Sequence, residues 1–334
     1  MGRDLAAAAT VQRARILMGT LCTATAADDD TARARTAVAA ALDEIARLEL
    51  MMSSWREGSE LSRMNRSAGT SPFSCSTDLA AVLDSALSIA RLTDGAFDPT
   101  VEPLMSAWDV RGKGRVPDAV TLAGARSRVG WQGLTLDRDA RTVRFARVGM
   151  GVDLGGIAKG YALDRAAAAL AHAGPALINL GGEVLVRGGT QIVALAHPLR
   201  RLTPVVEIPV DEKAASTSGQ SEHGFVARGR RYGHVVDPRT GFPVPTDATV
   251  TVLCGSATRA DGLSTALLVM GRERTAAFAL AHPEVGVVWL EPEGDRVRVW
   301  CWNVSGTRAA AGAGVRWMDE KAPMTMTAGK GIER

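Results

Sequence analysis

The sequence predicts an α+β fold of mixed, largely antiparallel sheets with helices packed on them. Three observations carry this. Strand-like and helix-like segments are interspersed without a steady strand–helix–strand repeat. Two stretches read as hairpins, 134–145 and 285–302. Two amphipathic segments, 31–50 and 77–92, carry apolar stripes at helical spacing.

Residues 14–28 read as a first strand and 31–50 as a helix whose Val38, Leu42, Ile45 and Leu48 face a core. A polar loop, Ser53 to Glu60, follows. The helix over 77–92 is capped by Thr77, buries Leu79, Val82, Leu83, Ala86 and Ile89, and stops at Asp94-Gly95. Leu134–Asp137 and Thr142–Phe145 pair around Arg138–Arg141. Val152–Gly156 ends a strand that feeds a helix over 158–172, and strand returns at Ala176–Leu180 before Gly181-Gly182. Two strands flank His197-Pro198, Val250–Cys254 is a strand, and Ala260–Met270 a helix. Val285–Leu290 pairs with Val297–Trp302, and the chain beyond about 316 is polar and loosely held. One domain over 14–310 with a tail at 316–334 is the expected organisation.

Composition narrows the function classes. Apolar residues make up 46% and charged residues 22%, and the net charge of +3 is not gathered into a stripe, which argues against nucleic acid as partner. Cys22, Cys75, Cys254 and Cys301 are far apart, so reduced thiols are expected rather than disulfides or zinc. The five histidines lack metal-binding spacing. No apolar run is long enough to span a membrane. The residues Gly19-Thr20-Leu21 before Cys22 do not suit a lipid anchor, and the segment from Met1 to Arg15 is weak as a signal sequence. A cytoplasmic location, or a periplasmic form trimmed of its leader, is the expectation.

Four constellations carry chemistry. Asp153-Leu154-Gly155-Gly156-Ile157-Ala158-Lys159-Gly160-Tyr161 places two glycines and a lysine at a helix start. Such a start suits a phosphate, or is an ordinary turn with Lys159 solvated. Asp261 and Thr265, four apart on a helix, offer hard oxygens to Mg²⁺, or merely complement a helix dipole and pack a core. Ser216-Thr217-Ser218-Gly219 precedes His234-Val235-Val236-Asp237-Pro238-Arg239-Thr240-Gly241, where His234 stands before a Val-Val strand as base, phosphate ligand or structural histidine. Thr93 to Thr100 is a loop around Phe97. Trp55 sits in a polar segment, where an indole stacks on a planar ring or packs on the surface.

In order and wording these segments match one family. Leu-Met-Gly-Thr at 17–20, Ser-Glu-Leu-Ser-Arg-Met-Asn at 59–65, Asp-Gly-Ala-Phe-Asp-Pro-Thr-Val-Glu-Pro-Leu at 94–104 and Asp-Leu-Gly-Gly-Ile-Ala-Lys-Gly-Tyr-Ala-Leu-Asp at 153–164 come first. Asn-Leu-Gly-Gly-Glu at 179–183, Thr-Ser-Gly at 217–219, His-Val-Val-Asp-Pro-Arg-Thr-Gly at 234–241 and Ala-Asp-Gly-Leu-Ser-Thr-Ala-Leu at 260–267 complete the set. The sequence resembles the FAD:protein FMN transferases, the ApbE-like flavin transferases. The resemblance implies FAD held between two halves of one α+β domain. It implies a FAD site lined by Met18, Trp55, Ala96, Phe97, Asp98, Asp153, Lys159 and His234, with Trp55 where the family often has tyrosine. It also implies Mg²⁺ held by Asp261, Thr265 and a backbone carbonyl placed at Gly156. His234 is the candidate general base, and Asp261 the other catalytic candidate. The reaction implied moves FMN from FAD to a Thr or Ser hydroxyl of an acceptor redox protein and releases AMP. The rivals are a Mg²⁺-dependent FAD pyrophosphatase and a flavin-binding protein without turnover.

Overall fold

The computed structural model describes residues 9–318 except 111, 172, 222 and 223. The chain opens on β1 (Thr10–Leu17) and β2 (Thr20–Ala27), followed by α1 (Thr31–Met52), α2 (Glu60–Arg66), β3 (Phe73–Ser74) and α3 (Thr77–Leu92). Then come α4 (Glu102–Trp108), α5 (Ala119–Arg126), β4 (Leu134–Asp137), β5 (Thr142–Phe145) and α6 (Ala158–Ala169). Seven strands follow: β6 (Ala176–Leu180), β7 (Glu183–Arg187), β8 (Thr190–His197), β9 (Arg200–Asp211), β10 (Ala214–Gly219), β11 (Gly224–Ala227) and β12 (Arg230–Gly233). The chain closes through β13 (Thr249–Cys254), α7 (Ala257–Met270), α8 (Arg272–Ala281), β14 (Gly286–Glu293), β15 (Arg296–Trp302), β16 (Arg308–Ala309) and β17 (Val315–Trp317).

A nine-stranded sheet in the order β1-β2-β6-β7-β10-β13-β14-β15-β17 is the frame. Every pairing in it is antiparallel except that of β15 with β17. Its two faces have different covers. One face packs on α1, α3, α6 and α7 around Leu42, Ile45, Leu83, Leu163, Val250, Val252 and Leu267. The other packs on the small sheet β16-β9-β8 through Val186, Leu253, Val288, Val206, Ile208 and Val210. Central strand β13 is therefore buried along its whole length, its Thr249 and Thr251 included, and Thr251 Oγ1 meets Thr217 Oγ1 of β10 at 2.8 Å. A satellite cluster of Leu104, Ala107, Trp108, Ala125 and Val236 ties α4 and α5 to the 234–241 segment, with Trp108 Nε1 donating to the Gly241 carbonyl at 2.7 Å.

The predicted helical stripes are the buried ones: Val38, Leu42, Ile45 and Leu48 are all fully buried. Four expectations need correction. Residues 14–28 form a hairpin, because Met18 (φ 50°) and Gly19 (φ 75°) make a two-residue turn of the kind that matches strand twist. The cap of α3 is Ser76, whose hydroxyl accepts from Leu79 N at 3.2 Å; Thr77 is already helical. Residues 152–156 are not strand: Asn65 holds the Val152 N–H and C=O at 2.8 Å each, and Asp153 N donates to Pro99 O at 2.8 Å. Val235-Val236 is likewise no strand, since Val236 forms only an isolated bridge to Pro243. At the far end Arg316 and Trp317 pair with Arg298 and Val299, and residues 319–334 lie outside the described part.

The four cysteines are free. Burial pushes the Cys22 and Cys301 thiols up to about 11 and Cys75 to about 12, so they are protonated core thiols rather than nucleophiles. Among the described residues no helix is long and apolar enough to cross a membrane.

Candidate active site

The site forms where α6 meets α7. The glycine loop before α6 is set by Asp153, whose Oδ1 accepts from Gly155 N at 2.7 Å, while Asn65 fixes the residue before it. Gly155 is thereby left exposed and Gly156 half-buried at the mouth of the helix. The cap position of α6, Ile157, has no side chain able to accept from the first turn. The missing acceptor comes from the other helix: Asp261 Oδ2 takes the N–H of Gly160 at 2.9 Å. A residue other than glycine does not fit there, because a Cβ on Gly160 would lie 2.2 Å from the Ala257 carbonyl oxygen and 2.7 Å from Asp261 Cβ.

One turn further along α7, Thr265 faces Gly156. A methyl placed on Gly156 would sit 2.9 Å from Thr265 Oγ1 and 3.3 Å from Phe97 Cε2, so the loop, the hydroxyl and the Phe97 ring meet at one point. Ser218 of β10 joins them, its Oγ 3.3 Å from Thr265 Oγ1 and 2.7 Å from Ser264 Oγ. Asp261 is 3% exposed, whereas Thr265 and Lys159 are half-buried, so the carboxylate lies at the floor and the other groups at the opening. Lys159 forms an ion pair at 2.8 Å with buried Glu183 of β7. Neither sequence reading of Lys159 anticipated that partner; the signal lay in the Asn-Leu-Gly-Gly-Glu motif that ends on it.

The other expected site residues are held by their own loops and turns. Ala96 and Phe97 are buried, with Phe97 N donating to Thr93 Oγ1 at 3.2 Å. Asp98 is a loop staple: Oδ1 accepts from Thr100 N and Oγ1 at 2.8 and 2.6 Å, and Oδ2 from Trp131 N at 2.9 Å. Its burial pushes the carboxyl pKa up. These bonds shape the loop that carries Phe97. Met18 occupies the β1–β2 turn, and Trp55, 68% exposed, stands on a turn pinned by Ser59 Oγ donating to Ser53 O at 2.6 Å. His234 is half-buried directly after β12. Its neighbour Val235 is gripped through both backbone groups by Gln220, two residues beyond Ser218, at 3.0 and 2.8 Å. A cavity of about 560 Å³ opens along this segment, lined by Gln220, Tyr232, Gly233, Phe242 and Val269 among others. Val269 lies one turn beyond Thr265.

The donor set suits a hard cation. Among the described residues no group of three or more His, Cys, Asp or Glu side chains converges. One carboxylate, one hydroxyl and a nearby loop carbonyl are the oxygen donors that Mg²⁺ shares with waters and phosphates. A lysine beside them suits the phosphates themselves.

Comparison with known proteins identifies the family. The model of the ApbE family matches residues 18–289. A FAD:protein FMN transferase of Treponema pallidum is 32% identical over 313 residues, 86% of this chain and 85% of that one. The FAD:protein FMN transferase of Vibrio cholerae is 35% identical over 243 residues, 69% of this chain and 72% of that one. The crystal structure of the ApbE protein of Thermotoga maritima superposes with a TM-score of 0.78 at 29% identity, covering 84% of this chain and 94% of that one. With the matched segment running through the glycine loop, Asp261 and Thr265, the chain belongs to the ApbE family.

Proposed function

We propose that this protein transfers FMN from FAD to a Thr or Ser hydroxyl of an acceptor protein, releasing AMP, with Mg²⁺ as cofactor. The observation that carries the reading is that α7 brings Asp261 to the first turn of α6, which carries Lys159, and Thr265 to Gly156 in the loop before it. The relatives named FAD:protein FMN transferase supply the substrate class.

FAD's pyrophosphate lies against the glycine loop, where Lys159 holds its oxygens. The cavity beside His234 is the candidate seat for one of its ring systems. The acceptor oxygen attacks the FMN phosphorus and the bond to the AMP oxygen breaks. The hydroxyl proton leaves to a base, for which His234 is the candidate. Asp261, Thr265 and the Gly156 carbonyl would hold Mg²⁺, which when bound offsets the charge that builds on the phosphates and the leaving AMP.

The test is incubation with FAD, Mg²⁺ and candidate redox-protein acceptors, read by intact mass spectrometry of the acceptor and by AMP release. One FMN adduct per acceptor with matching AMP is expected. FMN and AMP set free with every acceptor unmodified would make the protein a FAD pyrophosphatase, and no AMP at all would overturn catalysis. Asp261→Ala should abolish transfer by a thousandfold or more, since each 1.36 kcal/mol is about tenfold in rate. EDTA on the unaltered protein should reproduce that loss, and excess Mg²⁺ should reverse it.

A further inference from the structure

Asp164 closes the Asp-Leu-Gly-Gly-Ile-Ala-Lys-Gly-Tyr-Ala-Leu-Asp segment. It lies on α6, one turn after Gly160, and is half-buried against the start of α7. Its Oδ1 accepts from Ala257 N at 2.8 Å. Its Oδ2 accepts from Thr258 N at 2.9 Å, Thr258 Oγ1 at 2.6 Å and Ser256 Oγ at 2.7 Å. The α7 cap, Ser256, takes only the next N–H, that of Arg259, at 3.2 Å. The first two N–H groups of α7 are therefore satisfied from another helix.

The two helices cap each other. Asp261 of α7 closes the first turn of α6 through Gly160, and Asp164 of α6 closes the first turn of α7 through Ala257 and Thr258. On each helix the two points of attachment are four residues apart, so both lie on the face turned to the partner. Between them the Gly160 backbone touches the Ala257 carbonyl, which leaves no room for the helices to slide. The two attachments add to the packing of α7 on β10 and β13 in fixing its rotation and its register.

We propose that Asp164 is a positioning residue for the metal site. Resting on the metal reading of Asp261 and Thr265 given under Proposed function, it sets the rotation and register of α7 so that both donors face Gly156. Outer partners that orient metal ligands typically change metal affinity by 10–100-fold when removed.

The test uses Mn²⁺ as the probe, with binding to the full chain read by electron paramagnetic resonance at a temperature where circular dichroism shows every variant folded. Asp164→Ala should weaken Mn²⁺ binding roughly tenfold or more. Asp164→Asn, isosteric and keeping one acceptor oxygen, should fall between it and the unaltered protein, and carries the test if Asp164→Ala does not fold. Asp28→Asn, which removes the salt bridge to Arg33 and none of the bonds between α6 and α7, should lower the thermal midpoint and leave Mn²⁺ affinity unchanged. Mn²⁺ affinity unchanged in both Asp164 variants, with lowered thermal midpoints, would reduce Asp164 to a helix cap and overturn the proposal. Equal weakening in Asp28→Asn would assign the effect to general stability and overturn it too. An unaltered protein that binds no Mn²⁺ would instead overturn the metal reading itself, and the role of Asp164 with it.

Discussion

At the residue scale the site depends on charges held in pairs. Lys159 is 21% exposed and its partner Glu183 only 4%, so removing the lysine leaves a buried carboxylate without its cation. That is strongly destabilising, about 3–5 kcal/mol for a buried pair. Lys159→Ala should therefore lower the urea midpoint and also weaken FAD binding by roughly ten- to a hundredfold, the worth of a charge-assisted phosphate contact. The double variant Lys159→Met with Glu183→Gln separates the two effects: stability should return in large part and FAD affinity should not. Full recovery of affinity in the double variant would show that Lys159 serves only Glu183. Asp28 shows the same physics away from the site. Arg33 donates to both its oxygens, at 2.9 and 2.7 Å, and holds its carboxyl down to about 2. An unfolded aspartate titrates near ~4, so between ~4 and ~2 the unfolded chain binds more protons than the folded one. The stability from this group is present above ~pH 4 and is lost as pH falls through the folded value. Urea midpoints of the unaltered protein and Asp28→Asn should differ by a constant gap above about pH 5, and the gap should close below. A gap independent of pH would sink this account.

At the scale of elements, the helix pair α6–α7 is the device on which the site is built, and its spacing depends on Gly160. Gly160→Ala places a methyl 2.2 Å from the Ala257 carbonyl oxygen, so the helices must part. Overpacking of this kind costs about 1–3 kcal/mol. Separation also breaks the Asp261–Gly160 bond, so Mn²⁺ affinity should fall beyond what the loss of stability accounts for. Binding retained at its original strength would mean that the contact is not what orients Asp261. The sequence made α7 legible, because Asp261 and Thr265 are four apart and the helical run around them is apolar. It also made α6 legible, and it placed a glycine and a lysine at its start. The contact between the two was not legible, since the pairing of Gly160 with Asp261 spans 101 residues and no local pattern encodes it. The glycine loop misled for the same reason. Val152 and Leu154 look like strand, but the backbone partners of Val152 are on Asn65, 87 residues away. The β1–β2 hairpin stayed hidden because its turn uses a methionine at positive φ instead of an Asn-Gly signal.

At the scale of the molecule, the nine-stranded sheet separates stability from chemistry. Its helix-covered face carries α6, α7 and thus every group proposed to hold phosphate or metal. Its opposite face, covered by β8, β9 and β16, carries none of them. That second layer is held to the sheet by Val205, Val206, Ile208 and Val210, which meet Val186, Leu253, Val288 and Val299. Ile208 is fully buried between them. Ile208→Ala should cost about 2–5 kcal/mol, the lost transfer energy of the side chain plus the cavity it leaves. The site lies across the sheet, and the strands between are antiparallel and continuously paired, so the local void should not reach the α6–α7 contact. The variant should unfold at markedly lower urea concentration. At a temperature well below its midpoint it should bind FAD and transfer FMN at the rate of the unaltered protein. A transfer rate that falls in step with stability while the protein remains folded would show that the two faces are coupled through the sheet.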